Sequence, residues 1–267
     1  MLEEQKEIFS QILHRIKECP KIKSNERLTG FRAIKGHNAK GQGDLMVIGR
    51  ALNGGGKGFL PKELDEKINV KQIADDIVGQ NNLEPRWTTL RWVAEDWQKT
   101  EFELREEAKI KGRKNFYNPR RSQFWRVIKD VVQSLKVTDT NGNNNWSSCL
   151  IWSNLYKISP FKGGNPSGRL MEVQREKCIE LLKLEIDTWK PKYILMLTGG
   201  DWLRSFLKDS KQNPFKDINY LNDGSHRYEY LDCAGDLDCG GKVAVAKHPQ
   251  GKKEDIWVKE VLNVLKK

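Results

Sequence analysis

The side chains with the clearest chemical potential follow three short apolar runs of the chain. Asn154, His248 and the glycine-rich loop Arg50–Leu60 each begin within two residues of the end of such a run. A carboxamide offers both donors and acceptors to a planar ligand, and a neutral imidazole offers one of each. Glycines let a ligand approach the backbone closely. These residue types together favour a site that binds a small planar group without a metal.

The glycine-rich loop does not match the phosphate-binding loop of nucleoside triphosphatases. That motif requires Gly at position 51 and a hydroxyl residue directly after Lys57, whereas Ala51 and Gly58 occupy these positions. The hydroxyl that would bind magnesium is therefore missing, and this class is excluded. Two interpretations of the loop stay open: backbone amides that bind an anion or a base, or a flexible tight turn.

The cysteines favour neither a disulfide framework nor a metal centre. There are five of them at wide spacings, and this odd number indicates a reducing, cytoplasmic compartment. His226, Cys233, Cys239 and His248 come nearest to a zinc site, but their spacing matches no common finger pattern. We expect no metal and no cofactor, and we interpret the cysteines as small buried or turn residues.

Strand patterns and helix patterns alternate along the chain. The periodicity predicts helices over residues 2–18, 62–80, 86–99, 121–136, 169–189, 201–208 and 254–266. It predicts strands over 44–49, 148–153, 193–198, 227–233 and 242–246, the last two as a hairpin or as neighbouring strands. Residues 100–115 are interpreted as a charge-dense connection and 139–145 as a turn. The alternation is typical of an α/β domain with a mainly parallel sheet covered on both faces.

The expected fold is a three-layer α/β/α sandwich around a central, mainly parallel four-stranded sheet. No linker divides the chain, so residues 1–267 are predicted to form a single domain with a helical insertion at about 62–135. In open sheets of this kind, ligands bind beyond the carboxyl ends of the strands. The loops at 49–60, 154–168 and 248–253 should therefore meet at one edge. No apolar run is long enough to span a membrane, and we expect a monomer.

The charge of the chain points to a polyanionic partner. Lys and Arg total 47 against 36 Asp and Glu, which gives a net charge of +11. The segment Lys109–Lys129 contains eight basic residues, no acidic residue and four aromatic residues. Basic grooves with aromatic platforms suit single-stranded or flipped nucleotides, although a solvated basic surface is the alternative. The candidate DNA contacts are Arg113, Lys114, Arg120, Arg121, Lys252 and Lys253.

Four motifs in order resemble the uracil-DNA glycosylase superfamily, especially the layout of its iron–sulfur branch. They read VIGRALNGGGKGF, LIWSNLYKISP, EIDTWKPKYILMLTGG and VAVAKHPQG. The resemblance covers residues 44–60 and 148–265 but not the helical insertion. It implies a DNA glycosylase that hydrolyses the N-glycosidic bond of uracil or another damaged base, after the nucleotide has flipped into a pocket.

The resemblance also implies roles for individual residues. Phe59 would stack on the base, with core packing as the alternative role, and Asn154 would read its hydrogen-bonding edge, with a turn or capping role as the alternative. His248 would stabilise negative charge on the uracil O2 oxygen, unless it is only a turn residue held by Pro249. Asn53 is the candidate that holds the attacking water. The remaining pocket residues would be Gly49, Arg50 and Gly54.

The chain departs from the family pattern at several positions. The turn after the first strand has no carboxylate, and its cation at Arg50 disfavours a cationic sugar. Gln250 stands where Ser is usual. Of the cluster ligands Cys178 alone matches, with Ile158 at another ligand position, so no iron–sulfur cluster is expected.

These departures leave two alternatives to a DNA glycosylase. One is a catalytically inactive nucleic-acid-binding module of the same fold. The other is an enzyme acting on a free nucleoside or nucleotide, which predicts that Lys109–Lys129 lies away from the pocket.

Overall fold

Strands and helices alternate over most of the chain. The computed structural model describes residues 1–39, 45–54, 57–65, 67–79, 88–112, 116–138, 145–215, 217–221 and 228–267. The helices are α1 (Leu2–Glu18), α2 (Lys67–Val78), α3 (Arg91–Gln98), α4 (Glu101–Ile110), α5 (Gln123–Leu135), α6 (Gly168–Trp189), α7 (Gly200–Leu207) and α8 (Glu254–Leu265). The strands are β1 (Leu28–Gly30), β2 (Ile34–Lys35), β3 (Leu45–Gly49), β4 (Ile151–Asn154), β5 (Ile158–Pro160), β6 (Tyr193–Met196), β7 (Asp217–Tyr220), β8 (Leu231–Asp236) and β9 (Lys242–Ala246).

The main sheet has a parallel centre and antiparallel edges. In the described part of the chain its order is β2-β4-β3-β6-β9-β8-β7, and the four strands from β4 to β9 run parallel. The outer strands β2, β8 and β7 are antiparallel to their neighbours. The α/β class is therefore confirmed, but the prediction of four strands is wrong, because seven strands are present. A separate two-stranded sheet pairs β1 with β5.

Helices cover both faces of this sheet, because alternate residues of the central strands point to opposite sides. Met46 and Ile48 of β3 pack in a core that contains residues of α1, α2, α6 and α7. Leu45 and Val47 pack in a second core with residues of α3, α5 and α8. Each such buried aliphatic side chain stabilises the fold by about 1.5–3 kcal/mol relative to exposure.

The segment predicted as a helical insertion contributes to both layers. Helix α2 packs in the first core, whereas α3 and α5 pack in the second. The predicted connection at 100–115 is wrong in part, because α4 occupies its first half. Thr100 and Glu103 form a capping box there: the Glu103 amide donates to Thr100 Oγ1, and the Thr100 amide donates to Glu103 Oε2.

Other element boundaries differ from the predictions by a few residues. Residues 148 and 149 belong to the short 3₁₀ turn Trp146–Cys149 and not to the following strand. The helix predicted over 62–80 is a 3₁₀ turn, Pro61–Asp65, followed by α2. Most of the turn predicted at 139–145 lies outside the described residues. None of the described helices combines the length and the apolar character needed to cross a membrane.

Candidate functional site

The first two predicted loops meet at the carboxyl edge of the sheet. Gly49 ends β3 directly opposite Asn154, which ends β4. Beyond these strands the Gly164 amide donates to Asn53 Oδ1 at 2.8 Å. Gly54 has φ of +78° and packs against the backbone of Phe161 and Gly163, where a side chain would have no room. The predicted meeting of these two loops is thus observed.

Asn154 is the most deeply buried of the predicted site residues. Its side chain is almost inaccessible, with 1% of the residue exposed, and its Nδ2 atom has no hydrogen-bond partner in the described structure. A buried donor without a partner costs about 1–3 kcal/mol, so this atom favours a ligand that brings an acceptor. Gly49 makes room for it: a Cβ at position 49 would crowd Asn154 Oδ1 far inside the normal contact distance.

We expect Gly49→Ala to displace the Asn154 side chain or to push β3 and β4 apart. The overpacked methyl group should lower the free energy of unfolding by about 1–3 kcal/mol, measured by urea denaturation. Gly168→Ala is the matched control, because a Cβ at that position meets no atom within 4 Å. Equal stability of the two variants would contradict this account of the contact between β3 and β4.

His248 follows β9 and is held as a neutral imidazole. Its Nδ1 atom accepts a hydrogen bond from the Gln250 amide at 3.3 Å, which places the proton of the neutral ring on Nε2. Burial, together with the positive charge of Arg50, lowers the pKa of His248. The Phe124 ring stacks on the imidazole with centroids 6.2 Å apart. His248 therefore presents an Nε2–H donor at neutral pH.

Arg50 and Asn53, the two polar residues after β3, point to different partners. Arg50 Nε donates to the Thr198 carbonyl at 3.0 Å, and its guanidinium lies 4.8 Å from the centroid of the Trp202 ring. Burial lowers its pKa. Asn53 Oδ1 is occupied by the Gly164 amide, so a water held by this residue would have to use its amide nitrogen. The catalytic role of Asn53 stays a prediction.

Phe59 lies in the core. Its backbone pairs with Leu28 through two hydrogen bonds of 2.8 Å, and 5% of the residue is exposed. It packs with residues of the α1 and α2 layer. The structure thus places this ring in the packing role that the sequence leaves open, and stacking on a base stays a prediction.

The third loop is attached to the amino end of α5. Gln123 Nε2 donates to the Lys252 carbonyl and to Glu254 Oε1, each at 3.1 Å, while Gln123 Oε1 accepts from the Gly251 amide. Arg126 adds a two-pronged ion pair with Glu254. The sequence carries no signal for this connection. It brings the described part of the basic segment next to His248.

The candidate DNA contacts lie on this α5 side of the site where they are described. Arg120 donates to the Lys99 carbonyl, and Arg121 pairs with Glu101 at 2.7 Å. Arg120, Arg121 and Lys253 are exposed, and Lys252 is partly buried. Arg113 and Lys114 lie outside the described residues.

A buried charged network stands behind Asn154. Lys157 Nζ donates to Glu185 Oε1 at 2.8 Å and to Ser153 Oγ at 2.7 Å, and Ser153 Oγ donates to Glu185 Oε2 at 2.6 Å. All three residues are buried. The one signal in the sequence is a lysine inside the otherwise apolar motif LIWSNLYKISP.

The cysteines have no sign of metal chemistry in the described structure. No group of three His, Cys, Asp or Glu residues there has the geometry of a metal site, and His226 lies outside the described residues. Burial raises the pKa of the Cys178 and Cys233 thiols to about 12. These thiols are therefore protonated at neutral pH.

Comparison of the chain with protein-family models and with curated proteins finds no match.

Proposed function

We propose that this protein binds DNA and hydrolyses the N-glycosidic bond of uracil or another damaged base, as a divergent member of the uracil-DNA glycosylase superfamily. The proposal rests on one observation: the unpartnered buried amide of Asn154 and the neutral imidazole of His248 stand on the same edge of the sheet. Both residue types suit a base whose edge offers carbonyl acceptors.

The spacing of these two residues supports a planar ligand between them. Asn154 and His248 follow β4 and β9, which are three strand positions apart in the sheet. Three strand spacings of about 4.8 Å give about 14 Å between the strand axes. A ring with a hydrogen bond of about 2.9 Å on each side, together with the two side chains, spans such a gap.

In the proposed reaction Asn154 orients the base and His248 assists its departure. The bond between C1′ of the sugar and the base nitrogen breaks, and the electron pair leaves with the base. The Nε2–H of His248 donates to the base oxygen on which negative charge develops. Water supplies the hydroxyl group that joins C1′, and its proton is released. No cofactor is needed for this balance.

The direct experiment is incubation with single-stranded oligonucleotides that contain uracil, hypoxanthine, xanthine or an oxidised base, followed by alkali. We expect strand cleavage at one of these bases, since alkali cuts the abasic site that base release leaves. An intact strand for the whole panel, with enzyme shown to be folded, would reject the enzymatic proposal.

A catalytically inactive DNA-binding module is the second candidate. The absence of a carboxylate among residues 50–53, together with the bond that occupies Asn53 Oδ1, favours it. It predicts oligonucleotide binding without base release. The third alternative, an enzyme on free nucleosides, requires a remote basic segment, whereas Phe124 of that segment stacks on His248.

Both DNA-binding candidates predict binding that weakens steeply with salt. Changing Arg120, Arg121, Lys252 and Lys253 to Gln should reduce the slope of log K against log salt by about 0.7 for each phosphate that the variant no longer binds on a single strand. Fluorescence anisotropy with a labelled oligonucleotide measures the slope. Glutamine replacements of Lys183, Lys190, Lys208 and Lys211, which lie on other elements, provide a control with the same change in charge. An unchanged slope in the first variant would exclude this surface as the DNA contact.

A further inference from the structure

Arg50 carries a charge that no described residue neutralises. No carboxylate of the described structure lies within ion-pair distance of its guanidinium, which donates instead to the neutral Thr198 carbonyl. Other arginines in the described structure that lie over an aromatic ring or near the site have an acidic partner. Arg204 stacks on Tyr220 and pairs with Asp201 at 3.6 Å, and Arg126 pairs with Glu254.

The position of Arg50 in the fold places this charge inside the candidate site. It is the first residue after β3, and its side chain reaches the end of β6, so it lies between Asn154 on β4 and His248 on β9. A partly desolvated cation without a counter-ion is costly, and an anionic ligand removes that cost. Neighbouring Asn154 adds an unpartnered donor at the same edge.

We propose that Arg50 and His248 together form an oxyanion-binding position in this site. The guanidinium supplies the charge and the Nε2–H of His248 supplies a second donor. The proposal deepens the proposed function and rests on its assignment of the site. The oxyanion is either a phosphate group of the nucleotide or the oxygen of the base that becomes negative as it leaves, and the experiment separates these two sources.

His248 is the natural reporter, because the two residues interact electrostatically. Arg50 is the charged group that acts on it, by lowering its pKa. The other charges on the elements packed around it are the Arg126–Glu254 ion pair, Lys252 and Lys253 of the third loop, and Arg120 and Arg121 before α5. An anion bound beside Arg50 would raise the pKa of His248, since it offsets the positive charge.

The first measurement is an NMR titration of His248 with and without inorganic phosphate, with the resonance assigned from His248→Ala. We expect phosphate to raise the pKa of His248 in the unmodified protein, and Arg50→Gln to raise it without phosphate and remove the response. Arg204→Gln is the matched control, since that arginine also stacks on a ring but already has a carboxylate. Circular dichroism checks that each variant is folded.

The second measurement identifies the source of the oxyanion by calorimetric binding of deoxyuridine and of deoxyuridine 5′-monophosphate. Binding of the monophosphate at least about tenfold tighter, abolished in Arg50→Gln, identifies a phosphate. Equal affinities that both fall in Arg50→Gln identify the base oxygen. If Arg50→Gln alters neither affinity and phosphate does not move the pKa of His248, the inference is overturned. These readouts need no base release, so they stand apart from the test of enzymatic activity.

Discussion

Glu185→Ala lowers the free energy of unfolding by about 3–5 kcal/mol, the largest stability effect that we expect of a single substitution in this protein. Lys157 would keep its charge in a fully buried position without either of its bonds to the carboxylate. Arg32 would lose a favourable interaction as well, because Glu185 offsets part of the burial that lowers its pKa. Urea denaturation followed by far-UV circular dichroism measures the change.

Lys157→Met is the informative comparison, because the two halves of the network are unequal. Glu185 would then still interact with Arg32 and with the Ser153 hydroxyl. We therefore expect a smaller loss of stability than for Glu185→Ala. The triple replacement Ser153→Ala, Lys157→Met, Glu185→Leu removes all the polar groups and should recover most of the stability. A greater destabilisation in Lys157→Met than in Glu185→Ala would contradict this ranking.

His248→Ala has the largest expected effect on the proposed reaction, a decrease in base release of about 10²–10³-fold. The reason is the removal of one preorganised donor at the oxygen on which charge develops, a change that costs about this much in oxyanion sites. The fold should survive, since His248 is only partly buried and its hydrogen bond from the Gln250 amide is long at 3.3 Å. Single-turnover base release from the preferred oligonucleotide measures the rate.

His37→Ala is the matched control for this variant. His37 is exposed and lies beside Ser148, at the opposite end of β4 from the site. Equal rates in the two variants would remove His248 from the mechanism.

The pH dependence of base release tests the same residue. His248 has a pKa lowered below its ordinary value of 6.5 by burial and by Arg50, so the neutral donor persists to lower pH than for an exposed histidine. The acid limb of the rate profile should accordingly lie below pH 6.5. Stability follows the same sign: this group's contribution is present above the unfolded pKa and decreases as the pH falls through the folded pKa.

The central strands can be predicted because they are buried on both faces and read as continuous apolar runs. Leu45–Gly49 and Lys242–Ala246 are examples, and their observed bounds agree closely with the predictions. The edge strands give no such signal. β2 has two residues, and three of the four residues of β7 are exposed, so neither alternates clearly enough to be recognised. Helix α4 escapes prediction by periodicity although its capping box, Thr100 to Glu103, is visible in the sequence.

The site residues that follow central strands can be located from the sequence, but their partners cannot. Asn154 and His248 lie at the predicted edge because parallel strands end together. The direction of Arg50 depends on Thr198, which is 148 positions away in the chain, and the Asn53 bond depends on Gly164. Contacts of this range carry no periodicity, and they decide which side chains face a ligand.

The attachment of Gln123 to the third loop links two parts of the molecule into one cooperative unit. The Gly251 amide is protected from exchange with solvent only while the amino end of α5 is docked against it. Local opening of α5 therefore also releases the loop after His248 and unstacks Phe124 from the imidazole. Exchange of this single amide, followed by NMR, reports the fraction of time for which that edge of the sheet is fully assembled.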